Sequence, residues 1–452
     1  MTTKENKMGV LPIKELIIRV SLPMMISMLV QALYNVVDSI FVSQLSEQAL
    51  TAVTLAFPLQ NLMIALSTGT GVGVNALLSR SLGAKQFERA DKAANTGIFL
   101  TFLNVLFFVF ISLFVAKPFI LSQTNDASIV NDATSYLRIV TGFSIGLFFQ
   151  MMFERLLQST GNSFFSMICQ ATGAILNIIL DPILIFGLFG MPRLGVTGAA
   201  VATIIGQMVA ACIGLYCNLK YNPEIHLSLS SVLSPKFDVI KRIYKVGVPS
   251  ILMMAIGSFM NYFMNRILIT FTSTANAVFG AYFKLQSFFF MPVFGLNSGL
   301  IPILAYNYGA QKKARIKEAL LFALVVAVSI MTVGTIVMNL FPRQLLGFFN
   351  ASTEMLKIGI PALHIISLHF PIAAASIVMG SIFQAFSRSI YSLIISIARQ
   401  LLVLIPVAWF LAQTGNIDNV WWCFVISESI SIIVSAYFFR RLYKQVVTPM
   451  PD

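Results

Sequence analysis

Charge is scarce in this sequence. Asp, Glu, Lys and Arg make up 10% of the 452 residues, against 57% hydrophobic residues and a mean hydropathy of +0.85. A soluble domain carries about 25% charged residues, so a water-solvated globule is excluded. Cysteine is sparse too. Cys169, Cys212, Cys217 and Cys423 lie in or at the ends of apolar runs, without the spacing of a metal site or a disulfide framework, and read as small buried hydrophobes. Catalytic signatures are missing: there is no Gly-Lys-Ser/Thr phosphate loop, no HExxH and no G-x-S-x-G, so neither enzymatic chemistry nor direct use of ATP is expected, and no cofactor is called for. The segment Met1 to Leu11 is polar and has no cleavage-site pattern ahead of the first apolar run, which reads as an uncleaved first helix.

Long apolar runs are what the sequence does have. A bilayer core of about 30 Å needs roughly 20 apolar residues per crossing helix. The chain accommodates twelve such spans, the first over 20–43 and the fifth over 165–188. The basic residues cluster in alternate connections. Lys4 to Arg19, Arg80 to Lys92, Arg155, Lys220 to Lys245, Lys312 to Lys317, Arg388 and Arg440 to Lys444 fall on one side, and only Lys117, Arg193, Arg343 and Lys357 on the other. The positive-inside rule then puts both termini in the cytoplasm and accounts for the net charge of +13 without a nucleic-acid partner.

Sliding the chain against itself by half its length exposes an internal repeat. At an offset of 226, Pro23 meets Pro249, Met28 meets Met254, Ala49 meets Ala275, Leu59-Gln60 meet Leu285-Gln286, Gly73 meets Gly299 and Gly83-Ala84 meet Gly309-Ala310. Six spans per repeat is an even number, so the repeats are parallel, as in transporters that rock one half against the other. The expected organisation is an all-α membrane protein with a six-helix lobe over 1–217, a cytoplasmic linker over 218–245 and a second six-helix lobe over 246–452. Asn222, Pro223 and Pro235 suit the linker to a flexible tie.

Carboxylates inside spans are the strongest functional signal, since an Asp at the centre of a spanning helix costs roughly 2.5–3.5 kcal/mol. Asp38 lies in the first span and Asp181 in the fifth, at similar depth. Gln31, Tyr34 and Asp38 share a face of the first helix, and Asn177 and Asp181 are one turn apart on the fifth. With Thr203 supplying a hydroxyl, these groups can take up a proton or coordinate sodium through oxygen ligands, sodium falling to Asp38, Asn177 and Asp181. At the 226 offset the two aspartates meet Met264 and Val407, so the carboxylates break the symmetry of the scaffold. Gln31, and in the second half Asn265, Lys284, His369 and Glu428, are candidates for a substrate cavity, where Lys284 would repel cationic solutes unless paired with Glu428; Arg266 and Arg399 read as snorkelling residues near helix ends. The 39 Phe and 21 Met would supply deformable walls.

Leu22-Pro23, Tyr34-Asn35-Val36-Val37-Asp38, Ala56-Phe57-Pro58, Ser79 to Ala84, Asn177 to Pro182 and Gly198 to Thr203, in this order and spacing, resemble the multidrug and toxic compound extrusion (MATE) transporters, and within them the prokaryotic DinF-type branch. The resemblance covers nearly the whole chain. It implies a V-shaped twelve-helix fold in a prokaryotic cell membrane and efflux of amphipathic, often cationic organic compounds by antiport with protons or sodium. It carries Tyr34, Asp38, Asn177 and Asp181 over as the coupling site, with Thr203 beside them. A monomer is expected, with the lipid bilayer and a small organic solute as its partners. The alternative is a flippase for a lipid-linked precursor, which calls for a strongly cationic cavity, whereas the first half here is acidic.

Overall fold

A backbone that crosses lipid must satisfy its own N–H and C=O groups, and among the described residues every regular element is helical. The computed structural model describes residues 6–349 and 351–451. We label the spanning elements α1 (Ile13–Ser43), α2 (Glu47–Gly83), α3 (Phe87–Leu121), α4 (Ala127–Gly142 with Ile145–Ser159), α5 (Ser163–Phe186), α6 (Val196–Tyr221), α7 (Phe237–Leu268), α8 (Ser273–Gly309), α9 (Lys313–Leu340), α10 (Thr353–Ser367 with Phe370–Ala385), α11 (Ser389–Ala412) and α12 (Ile417–Leu442). Ten of these pass singly as membrane spans. The other two, α4 and α10, pass as helix pairs bent by 44° and 45°, which makes twelve, the expected number.

The repeat recurs in local geometry. Ser46 Oγ accepts from Ala49 N–H at 3.0 Å to cap α2, and Thr272 Oγ1 accepts from Ala275 N–H at 3.1 Å to cap α8, 226 residues on. Lys85 and Gln311 follow those helices with φ of 58° and 57°, and α4 and α10 break at Phe143–Ser144 and Leu368–His369, within one residue of the same offset. Gly73 of α2 lies where a Cβ would sit 2.2 Å from the Ile243 carbonyl of α7; its counterpart Gly299 of α8 lies where a Cβ would sit 2.4 Å from Ser21 Oγ of α1. Both positions therefore require the one residue without a side chain.

The described chain forms two compact units, Ile26–Val248 and Met1–Met25 with Pro249–Asp452. The first helix changes unit just beyond Pro23 and the seventh at Pro249, so each unit takes the opening segment of the other repeat's first helix. In the first unit the segment after α6 is fastened to α3: Asp91 Oδ1 accepts from His226 N–H at 2.7 Å, while Asn95 donates to the His226 carbonyl at 2.8 Å and accepts from Ser228 N–H at 3.0 Å. The flexible tie read from composition is thus held at its start. In the second unit the segment before α1 is held likewise, with Arg315 donating to the carbonyls of Met8 at 3.0 Å and Leu11 at 2.8 Å.

Candidate functional site

Small residues decide where the polar ones meet. Gly198, Ala202, Gly206 and Ala210 recur every fourth residue along α6 and are all buried. A Cβ on Gly206 would lie 2.7 Å from the Gly173 carbonyl of α5, and one on Gly198 would lie 2.5 Å from the Leu184 carbonyl. The two backbones therefore approach closely and bring Asn177 of α5 against Thr203 of α6. With its nitrogen toward Asp181, the Asn177 amide donates to Oδ2 at 2.8 Å and accepts from the Thr203 backbone N–H at 2.9 Å and hydroxyl at 3.2 Å; reversed, its oxygen would face a carboxylate. Thr203 Oγ1 is also 3.0 Å from the Ala199 carbonyl and 3.4 Å from the Tyr34 hydroxyl of α1.

Asp38 stands one turn beyond Tyr34, and its carboxyl is within hydrogen-bonding reach of that of Asp181. Each aspartate is five residues from the end of its helix, Ser43 and Phe186, which at 1.5 Å per residue is roughly 7–8 Å of depth. Asp181 is fully buried and Asn177 is 2% exposed. The Oδ1 atoms of both aspartates are buried without a hydrogen-bond partner. Two carboxylates this close need a shared proton or a cation between them. Among the described residues no group of three or more His, Cys, Asp or Glu side chains could hold a metal, so sodium here would be held by two carboxylates together with neutral amide and hydroxyl oxygens.

Around this core the structure adds Gln170 and Tyr136, which the sequence reading did not name. Gln31 accepts from Gln170 Nε2 of α5 at 3.1 Å, tying α1 to α5 a few turns from the aspartates. Tyr136 of α4, buried and held by Gln60 Nε2 at 3.1 Å, lies close enough to Asp38 to feel its charge. No periodicity within α4 points across to α1, so nothing in the sequence singles these residues out. Arg155, read from sequence as part of a basic connection, is instead buried inside α4 with Nη1 donating to Gln158 Oε1 at 2.9 Å, and its neighbour Glu154 is buried and accepts from Gln150 Nε2 at 3.0 Å.

The second unit divides the remaining candidates. Glu428 of α12 is 4% exposed and pairs with Arg399 at 3.3 Å, so Glu428 is not the partner that would neutralise Lys284. Arg399 lies in a π-helical stretch of α11, Ala398–Leu404, and Ser427 Oγ donates to its carbonyl at 2.7 Å. His369 is buried at the bend of α10, its Nδ1 on the Ile366 carbonyl and its ring stacked on Phe424. Lys284 and Asn265 are exposed.

Comparisons with known proteins agree with this architecture. The MatE family model matches residues 23–183 and again 249–410, so its two matches begin one repeat offset apart. The chain is 26% identical over 445 residues to the FAD transporter of Shewanella oneidensis, covering 98% of this chain and 97% of the relative. It is 26% identical over 426 residues to the multidrug export protein MepA of Staphylococcus haemolyticus, covering 93% and 92%. Among solved structures it superposes on an outward-facing multidrug resistance MATE family transporter of the MOP superfamily with a TM-score of 0.93 at 28% identity, covering 99% of both chains. It superposes on a MOP superfamily transporter from Pyrococcus furiosus with a TM-score of 0.92 at 27% identity, again over 99% of each. Twelve spans, a doubled family match and full-length likeness to transporters leave one assignment: this chain belongs to the MatE family of membrane transporters.

Proposed function

We propose that the chain exports amphipathic organic solutes, cationic ones foremost, in exchange for inward-moving protons or sodium, and that Asp38 and Asp181 with Asn177, Thr203 and Tyr34 bind the driving cation. The observation that supports this most is the facing carboxyl pair with its two buried, unpartnered oxygens. A membrane protein that keeps two carboxylates at one depth, against their insertion cost, is using them. The presence of both aspartates in the first half only, within the Tyr34 to Asp38 and Asn177 to Pro182 motifs, also supports placing the chain in the DinF-type branch. The basic loops support a prokaryotic cell-membrane orientation with both termini cytoplasmic, and a monomer contains every residue named here. The cycle we envisage alternates access between the two six-helix halves, with solute and cation bound in turn.

A second reading, export of an anionic solute such as a flavin dinucleotide, draws on the name of the Shewanella relative and on Lys284, which is exposed and makes no ion pair among the described residues. Efflux of a cationic dye and of a flavin from cells under imposed proton or sodium gradients tests both readings. Gradient-dependent dye efflux that disappears in Asp38→Asn and Asp181→Asn supports the first. Dye efflux at the wild-type rate in both variants sinks the coupling assignment, and flavin efflux without dye efflux favours the second.

A further inference from the structure

The second unit has a cavity on the exposed face of the helix pair that corresponds to the carboxylate-bearing pair of the first. At the 226 offset α7 and α11 correspond to α1 and α5, and Met264 and Val407 to Asp38 and Asp181. Met264 is turned into the core and fully buried. Either side of it, Tyr262 and Arg266 open with Phe263, Thr270, Trp409 and Gln413 onto a cavity of about 570 Å³ between the ends of α7 and α11. That volume lies within the ~300–1,000 Å³ typical of small-molecule sites. The only charged residue in its wall is Arg266, which makes no ion pair among the described residues. The repeat has thus kept the helix pair, replaced the inward carboxylates with apolar side chains and set a cation on the exposed face.

The surroundings of this cation are those of an amphiphile site. Tyr262 and Trp409 are 57% and 60% exposed. Phe259 and Leu252 continue an exposed apolar strip along α7 away from the cavity, and Leu402 does the same along α11. A soluble anion would use Arg266, Thr270 and Gln413 and leave that strip bare. A molecule with one anionic head and long apolar tails would use all of it. Arg266 is two residues from the end of α7, at the level where Trp and Tyr favour the membrane interface. A guanidinium can grip a phosphate through two parallel N–H donors.

We propose that this cavity binds an anionic phospholipid, its phosphate on Arg266 and its acyl chains along Tyr262, Phe259 and Leu402. Under the orientation proposed above, the lipid comes from the outer leaflet. The site is separate from the Asp38 and Asp181 cluster, and its test does not depend on transport.

Trp409 is a built-in reporter, since the chain has three tryptophans and Trp421 is fully buried. The full-length protein carrying Trp421→Phe and Trp422→Phe is reconstituted in phosphatidylcholine with rising fractions of brominated phosphatidylglycerol or brominated phosphatidylcholine, and quenching of Trp409 gives the relative binding constant. The expected preference for the anionic lipid is roughly fivefold, as one basic residue near a membrane surface supplies, and it falls to parity in Arg266→Gln. Native mass spectrometry of the protein with all three tryptophans, counting phosphatidylglycerol retained by wild type and by Arg266→Gln, gives the same comparison if the double Phe background fails to fold. Equal quenching by both lipids, or a preference that survives Arg266→Gln, overturns the proposal.

Discussion

At Thr203 one hydroxyl has three neighbours: the Asn177 amide, the Ala199 carbonyl and the Tyr34 phenol. Thr203→Val keeps the shape and removes the hydrogen bonds. At about 1 kcal/mol for a net hydrogen bond, the half-saturating concentration of the coupling cation should rise roughly fivefold, whereas Thr203→Ser should stay near wild type; equal affinities in all three proteins would remove Thr203 from the site. The aspartates and Asn177 were legible in sequence because a polar residue in an apolar span is conspicuous by cost alone. Gln170, Tyr136 and Glu154 were not, because their significance lies in contacts between helices that no single-helix spacing records. That Glu428 pairs with Arg399 was hidden for a related reason: Arg399 lies in a π-helical stretch of α11, and such a stretch leaves no mark in hydropathy. Removing Arg399 alone strands a buried carboxylate at a cost of about 3–5 kcal/mol. Arg399→Leu should therefore melt well below wild type in detergent, and Arg399→Leu/Glu428→Leu should recover most of the loss; a double variant no more stable than the single one would show that the pair is not what Glu428 depends on.

At the level of elements, the repeat predicts matched effects. Gly73 on α2 and Gly299 on α8 each admit a neighbouring helix so closely that a methyl group has no room. Overpacking of this kind costs about 1–3 kcal/mol, so Gly73→Ala and Gly299→Ala should each lower the melting temperature by several degrees. An Ala at Gly280, whose surroundings are open, should leave it unchanged. A harmless Gly73→Ala would mean that α7 does not lie where Ile243 places it. Element number and type were readable from the sequence because bilayer thickness fixes helix length and lipid forbids unpaired backbone. The bend in α4 was not, since Phe143 and Ser144 have no proline beside them, whereas Pro371 marks the bend in α10.

For the whole molecule, the doubled scaffold was visible in sequence because both repeats answer to the same packing demands at the same positions. The exchange of opening segments between units was invisible, because α1 and α7 are continuous apolar helices across Met25 and Val248, and hydropathy does not say which bundle each part joins. On this common scaffold the two units carry different chemistry: a carboxyl pair in the first, and in the second a half-buried Arg399 paired with buried Glu428 and an Arg266 with no ion pair among the described residues. The central claim is that the carboxyl pair of the first unit exchanges a cation for solute. It is tested most directly with purified protein in liposomes, by following solute-evoked movement of protons with a pH dye or of radiolabelled sodium in the absence of any imposed gradient. The account predicts cation movement opposite to solute in wild type and none above background in Asp38→Asn or Asp181→Asn. Cation movement at the wild-type rate in those variants would contradict it.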